Sequence, residues 1–310
     1  DDFDGYVIGA PVYDYTGAQM NAPARLAALY SAIPPKTPAD GPFISPAKRD
    51  MIGNVIYNGL GDFKGCDVED GLKDGQIRNP YACSFDIDKH VPACSGPSDT
   101  SVCLTPAERT AFKKLYAGRE PFVPGAQIGS ENIPGGWSTW LIPNSPTGTP
   151  LLNSVVGDSM EWLMFNPDRP GFNYFTQFDW NTDPFLMDEA AKIFSATNPD
   201  LSYIRSSGKK IIMYHGYQDP AAQPIRSIRY RQAVIDKFAE KYGNGRTTAA
   251  GEALTDQFLR LFMVPGMAHC GDGVGHSNVD WVTPLARWVE QDEPPKAIVG
   301  TKPGTTSTRP

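Results

Sequence analysis

The sequence predicts an α/β protein in which a parallel sheet is interrupted by a large, loop-rich insertion. Three observations carry this: an apolar strand at the start, a long irregular stretch, and a regular helix–strand alternation in the remainder. Residues 1–11 read as a core strand with its approach, centred on Tyr6, Val7 and Ile8 and ended by Gly9-Ala10-Pro11. Residues 12–180 are dense in Gly, Pro, Trp and Tyr, residues that break regular elements or fill loops. The chain holds 30 glycines and 29 prolines, more punctuation than a doubly wound domain needs by itself. Two helices still announce themselves inside the insertion. Ser45-Pro46 supplies a cap and an N1 proline, with Gly59 as the stop. Thr105-Pro106-Ala107-Glu108 reads as a capping box ahead of Phe112, Leu115 and Tyr116, closed by Gly118.

Residues 181–310 form the second core segment. A helical stretch around Asp188–Phe194 precedes a strand over Lys210–Tyr214, a helix over Ser227–Tyr242, a strand over Phe258–Val264 and a helix from Val279 to Glu290. Short apolar strands alternating with helices mean a parallel sheet. The end, Thr301–Pro310, reads as a polar tail. A hydrophobic fraction of 40% is that of a globular chain, and no apolar run approaches the roughly 20 residues that span a bilayer. The net charge of -7 speaks against nucleic acid or an anionic membrane as partner.

Two segments carry the chemistry. One strand runs into His215-Gly216-Tyr217-Gln218-Asp219, and the next into Pro265-Gly266-Met267-Ala268-His269-Cys270. Sites in α/β folds lie past the carboxyl ends of parallel strands. An acid after one strand and a histidine after the next is the chain order of an α/β-hydrolase, which makes Asp219 and His269 the candidate catalytic pair. Asp219 would hold the Nδ1 proton, so that Nε2 takes a proton from a hydroxyl nucleophile. Taken alone, an aspartate before Pro220 also reads as a turn residue. His215 and His276 are competitors for the base, although His215, within the strand end, reads rather as packed or locally bonded. No Gly-x-Ser-x-Gly segment occurs in the 310 residues, so the nucleophile is expected outside them.

The five cysteines sort by spacing. Cys66 with Cys83, and Cys94 with Cys103, bracket short loops without the C-x2-C spacing of zinc or redox sites. Two local disulfides, and hence a secreted or periplasmic protein, are expected, with reduced thiols as the plainer alternative. Cys270 is the odd one: either a buried thiol or a bond to a cysteine outside the chain. Between Cys66 and Ile77, Asp67, Asp70 and Asp74 alternate with glycines. With the carbonyls of Leu72 and Gln76 they offer the hard oxygens that suit Ca²⁺, although the spacing is not that of an EF-hand and a solvated acidic turn reads equally from the pattern.

At these residues the sequence resembles the tannase and feruloyl esterase family, which includes mono(hydroxyethyl) terephthalate hydrolases. The matching stretches are Asp1-Asp2-Phe3-Asp4-Gly5, the Cys66–Gln76 loop, Leu104-Thr105-Pro106-Ala107, Tyr214-His215-Gly216, Asp219, and Pro265-Gly266-Met267 with His269-Cys270. The resemblance implies an α/β-hydrolase core with an inserted lid and a structural Ca²⁺ held by Asp67, Asp70, Leu72, Asp74 and Gln76. It implies a serine esterase of aromatic (phenolic acid) esters such as gallate, ferulate or terephthalate monoesters, with Asp219 and His269 as triad members. It further implies a disulfide from Cys270 to a cysteine beside the nucleophilic serine, on a segment or chain preceding Asp1. The chain alone is then expected to be inactive. Trp137, Trp140, Trp162 and Phe165 are candidates to stack on the aromatic acid, each equally readable as lid core. Between Gly118 and Arg169 the only basic residue is Arg119, which tilts the substrate toward a phenolic ester rather than a second carboxylate. The alternative to an esterase is a non-catalytic, calcium- and disulfide-stabilised extracellular binding protein derived from the fold.

Overall fold

The computed structural model describes residues 2–30, 43–95, 101–145, 147–242 and 247–310. The chain separates into two compact units, one of Asp1–Pro11 with Thr197–Pro310, the other of Val12–Ala196. The insertion therefore continues past residue 180. The reason is local: the ring of Phe194 lies 5.7 Å from that of Tyr15, and the Ser195 hydroxyl accepts the Tyr15 amide at 3.1 Å. The helix Asp188–Phe194, expected in the core segment, thus belongs to the inserted unit.

In the first unit, strands β1 (Gly5–Gly9), β2 (Lys210–Gly216) and β3 (Leu259–Val264) form a parallel sheet in the order β1-β2-β3. Tyr6 pairs with Ile211, and Ile211 with Leu259. Both faces are covered, as parallel sheets require. On one, Ile211 and Met213 pack with Val234 and Phe238 of the helix Pro224–Tyr242. On the other, Ile212 packs with Leu285 and Trp288 of the helix Val282–Gln291. That helix begins later than its hydropathy predicts, because the Asp280 side chain accepts the amides of Val282 and Thr283 at 3.0 Å and sets the start.

Two further departures appear here. A helix over Thr248–Thr255 lies where no element is expected. Its Gly251 is the reason it packs: a Cβ there would fall 2.3 Å from the Ile235 carbonyl oxygen. The tail is also ordered, with Gly300–Thr301 bridging Asn278–Val279 and Thr308–Arg309 in an antiparallel sheet.

The inserted unit is helical and loop-rich. The helix Pro46–Asn58 starts at Ser45, whose hydroxyl accepts the Lys48 amide, and stops at Gly59 with φ 81°. The helix Pro106–Ala117 has both bonds of its capping box, Thr105 and Glu108 each accepting the other's amide. The disulfides Cys66–Cys83 and Cys94–Cys103 are both present, with Cα separations of 5.4 and 5.0 Å. Among the described residues no helix is long and apolar enough to cross a membrane.

Candidate active site

The site lies at the carboxyl ends of β2 and β3. Gly216 ends β2 without a side chain because a Cβ would come within 2.3 Å of the Met267 carbonyl oxygen, so the loops after β2 and β3 approach backbone to backbone. Gln218, fully buried, fastens them: its amide donates to the Met267 carbonyl at 3.1 Å and its side-chain oxygen accepts the Gly266 amide at 2.5 Å. The next residue is the candidate acid.

Asp219 is completely buried. Its Oδ1 accepts the amides of Ala221 at 2.7 Å and Ala222 at 3.0 Å, the bonds of an Asx turn. Its Oδ2 lies 2.7 Å from His269 Nδ1 and 3.1 Å from His215 Nε2. The two readings of Asp219 use different oxygens: Oδ1 makes the turn, and Oδ2 faces the His269 ring. Burial by itself raises the carboxyl, but the bonds from His215 and then His269 outweigh it and hold Asp219 below the ordinary carboxylate value. With an ionised partner at Nδ1, His269 presents Nε2 as the basic atom. Its side chain is 26% exposed, so a nucleophile can reach it. Burial pulls the imidazole down, but Asp219 and then the Cys270 thiol push it up to about 10.

Cys270 is a free, exposed thiol in left-handed backbone, φ 58°, which turns it away from the core. It is not the buried thiol of the plainer reading. His276, the other histidine weighed as a base, lies 3.0 Å from the Ser307 hydroxyl and not on Asp219. Sequence reasoning passed over Gln218 and Ser227, whose roles depend on a loop and a helix distant in sequence. The His215–Asp219 spacing of four was the one available signal.

In the inserted unit, the candidate calcium loop is turned by Gly71 and Gly75, at φ 86° and 78°. Asp67 is buried and accepts the amides of Asp74, Gly75 and Gln76 at 2.9–3.2 Å. Asp70 accepts the Leu72 amide and Asp74 that of Gln76, each at 3.0 Å. The all-oxygen donor set fits a hard cation. The three carboxylates are not gathered within 4.8 Å of one another; among the described residues the group that is gathered, Cys66, Glu69 and Cys83, has its sulfurs in the disulfide.

The aromatic candidates divide. Trp137 is fully buried, stacked on Phe112 at 6.0 Å and beside Tyr116 at 5.8 Å. Phe165 is buried under the Arg169 guanidinium at 3.8 Å and against Phe172 at 5.3 Å. These two are core residues, which corrects their reading as substrate contacts. Trp140 is half-buried and Trp162 is 50% exposed, so both retain surface for a ligand.

Asp219 and His269 thus follow successive parallel strands, and Cys270 comes directly after the histidine. Residues 1–309 match the family described as tannase and feruloyl esterase. The chain belongs to this family. It is 29% identical to a mono(2-hydroxyethyl) terephthalate hydrolase of Piscinibacter sakaiensis, over 96% of this chain and 52% of the relative. It is 31% identical to a probable feruloyl esterase of Arthroderma benhamiae, over 78% of this chain and 44% of the relative. The crystal structure of feruloyl esterase B from Aspergillus oryzae superposes with a TM-score of 0.78 at 23% identity, over 99% of this chain and 59% of that one. Tannin acyl hydrolase from Aspergillus niger gives a TM-score of 0.69 at 20% identity, over 100% of this chain and 56% of that one. The fold is accordingly that of the α/β-hydrolase-like esterases. The chain spans about half the length of the curated relatives it matches.

Proposed function

We propose that this tannase-family chain supplies the acid and the base of a serine esterase acting on aromatic (phenolic acid) esters such as gallate, ferulate or terephthalate monoesters. The observation that carries the reading is the 2.7 Å contact between buried Asp219 Oδ2 and His269 Nδ1 at the carboxyl edge of the sheet. Asp219 fixes the tautomer and stabilises the imidazolium. His269 Nε2 takes the proton of a serine hydroxyl as its oxygen bonds to the ester carbonyl carbon. It returns that proton to the departing alcohol, and water then repeats the sequence to release the acid. The serine lies on a segment beyond these residues; nothing in the comparisons supports a separate polypeptide. Within the inserted unit, Trp162 and Trp140 keep surface on which an aromatic ring could stack.

A Ca²⁺ held by Asp67, Asp70 and Asp74 with the carbonyls of Leu72 and Gln76 would brace the stapled loop, taking no part in the chemistry. The two disulfides support a secreted or periplasmic location. Cys270, exposed beside the base, is suited to a bond with a cysteine near the serine, which would hold base and nucleophile in register.

The test uses the whole protein, serine segment included, with ethyl ferulate, methyl gallate and mono(2-hydroxyethyl) terephthalate. Asp219→Asn and His269→Ala should each lower kcat by about 10³–10⁴-fold with folding preserved. Turnover within tenfold of the parent in either variant sinks the assignment.

A further inference from the structure

A second histidine converges on the carboxylate that the base uses. His215 Nε2 lies 3.1 Å from Asp219 Oδ2 and 3.0 Å from the Ala222 carbonyl oxygen, while Nδ1 lies 2.7 Å from the Ser227 hydroxyl. Both partners of Nε2 are acceptors, so Nε2 carries a proton. Ser227 sits in the first turn of the helix Pro224–Tyr242, and Ser227, His215 and Asp219 are all fully buried. Ser227–His215–Asp219 thus has the order of a catalytic triad, yet a substrate cannot reach its hydroxyl. A sealed array of this kind has no nucleophilic role to play. Its outlet is the oxygen it shares with His269.

We propose that His215, oriented by Ser227, is a positioning residue for the catalytic pair: it holds the Asp219 carboxylate toward His269 and takes up part of its negative charge. This rests on the catalytic reading of Asp219 and His269 and adds a residue to it. Two imidazole N–H donors on one oxygen each bond less strongly than one alone, because the lone-pair charge is divided. His215 therefore moderates how firmly Asp219 holds the proton on His269. A base must release that proton near working pH to act. The groups facing His269 are Asp219 from the loop after β2 and Cys270 from its own loop, with Tyr214 of β2 facing Cys270 in turn.

The experiment follows the His269 ring by NMR across pH in the whole protein, and compares the parent with His215→Phe, His215→Gln and Ser227→Ala. His215→Phe keeps the shape and removes the donor. Its His269 midpoint should rise by about one pH unit, the scale of one buried hydrogen bond. The acid limb of kcat/KM should move by the same amount with KM little changed. His215→Gln, whose amide can again donate to Oδ2, should return the midpoint toward the parent, and Ser227→Ala should shift it upward by less. Should His215→Phe misfold, Ser227→Ala decides alone. A His269 midpoint identical to the parent in every folded variant overturns the proposal. Asp219→Asn is assayed alongside: unimpaired turnover there removes the catalytic reading itself, whereas the NMR shifts decide the His215 contact.

Discussion

Asp219 Oδ1 closes the turn that follows β2, and Oδ2 meets two imidazoles, so the position of the acid does not depend on its partner alone. Cys270 is the other residue with leverage here, because its thiol raises His269 after the larger contribution of Asp219. Cys270→Ala, or closure of Cys270 into a disulfide, should lower the His269 midpoint, since the thiol that raises it is removed. In activity this moves the acid limb of kcat/KM to lower pH in the disulfide form than in the reduced form. The sign for stability is the reverse of a carboxylate's. A histidine raised from 6.5 to about 10 stabilises fully below 6.5, and that contribution is lost as pH rises toward 10. Denaturant unfolding between pH 6 and 10 checks it: the parent should lose stability across this window and Cys270→Ala should lose less. Equal slopes in the two proteins refute the coupling.

Two helix starts in the inserted unit were legible because a side chain near in sequence supplies the cap, whereas the cap from Asp280 was missed. Ser45 before Pro46, and Thr105 with Glu108 three residues on, are read from short stretches, and the structure has their bonds. Glu108 does more than cap. It pairs with Lys48 Nζ at 2.7 Å, and Lys48 is 1% exposed, so the bond joins the helix Pro106–Ala117 to the helix Pro46–Asn58 inside the inserted unit. Glu108→Ala takes the carboxylate away from a buried ammonium and removes the cap. It should destabilise this unit by about 3–5 kcal/mol, while Glu108→Leu combined with Lys48→Met should recover most of the loss. Chemical denaturation followed by Trp fluorescence measures both; a loss below about 1 kcal/mol would show that the pair is dispensable. The helix Thr248–Thr255 was not legible, because Gly251 reads as a breaker until the neighbouring backbone that requires it is known. The strands of the tail were not legible either: each is two residues long, and Gly300–Thr301 also pairs with Asn278–Val279, distant in sequence.

For the whole molecule, the candidate calcium loop and the two disulfides are the elements through which environment could act on stability. If the loop holds Ca²⁺, saturating metal at about 100 times Kd adds about 2.7 kcal/mol, worth several degrees in Tm. Asp70→Ala should abolish most of that gain, measured by calorimetry with calcium and with a chelator; an identical Tm in all four conditions excludes the site. The sequence by itself determined the parallel sheet, the caps, both local disulfides and the family, because period, turn chemistry and spacing are carried by residues close together along the chain. Only the tertiary structure decided that the inserted unit runs to Ala196, that Trp137 and Phe165 are core, and that His215 and Ser227 converge on Asp219. Those facts depend on which distant surfaces exclude water together and which buried polar atoms must find one another, and neither is written in any single stretch of residues.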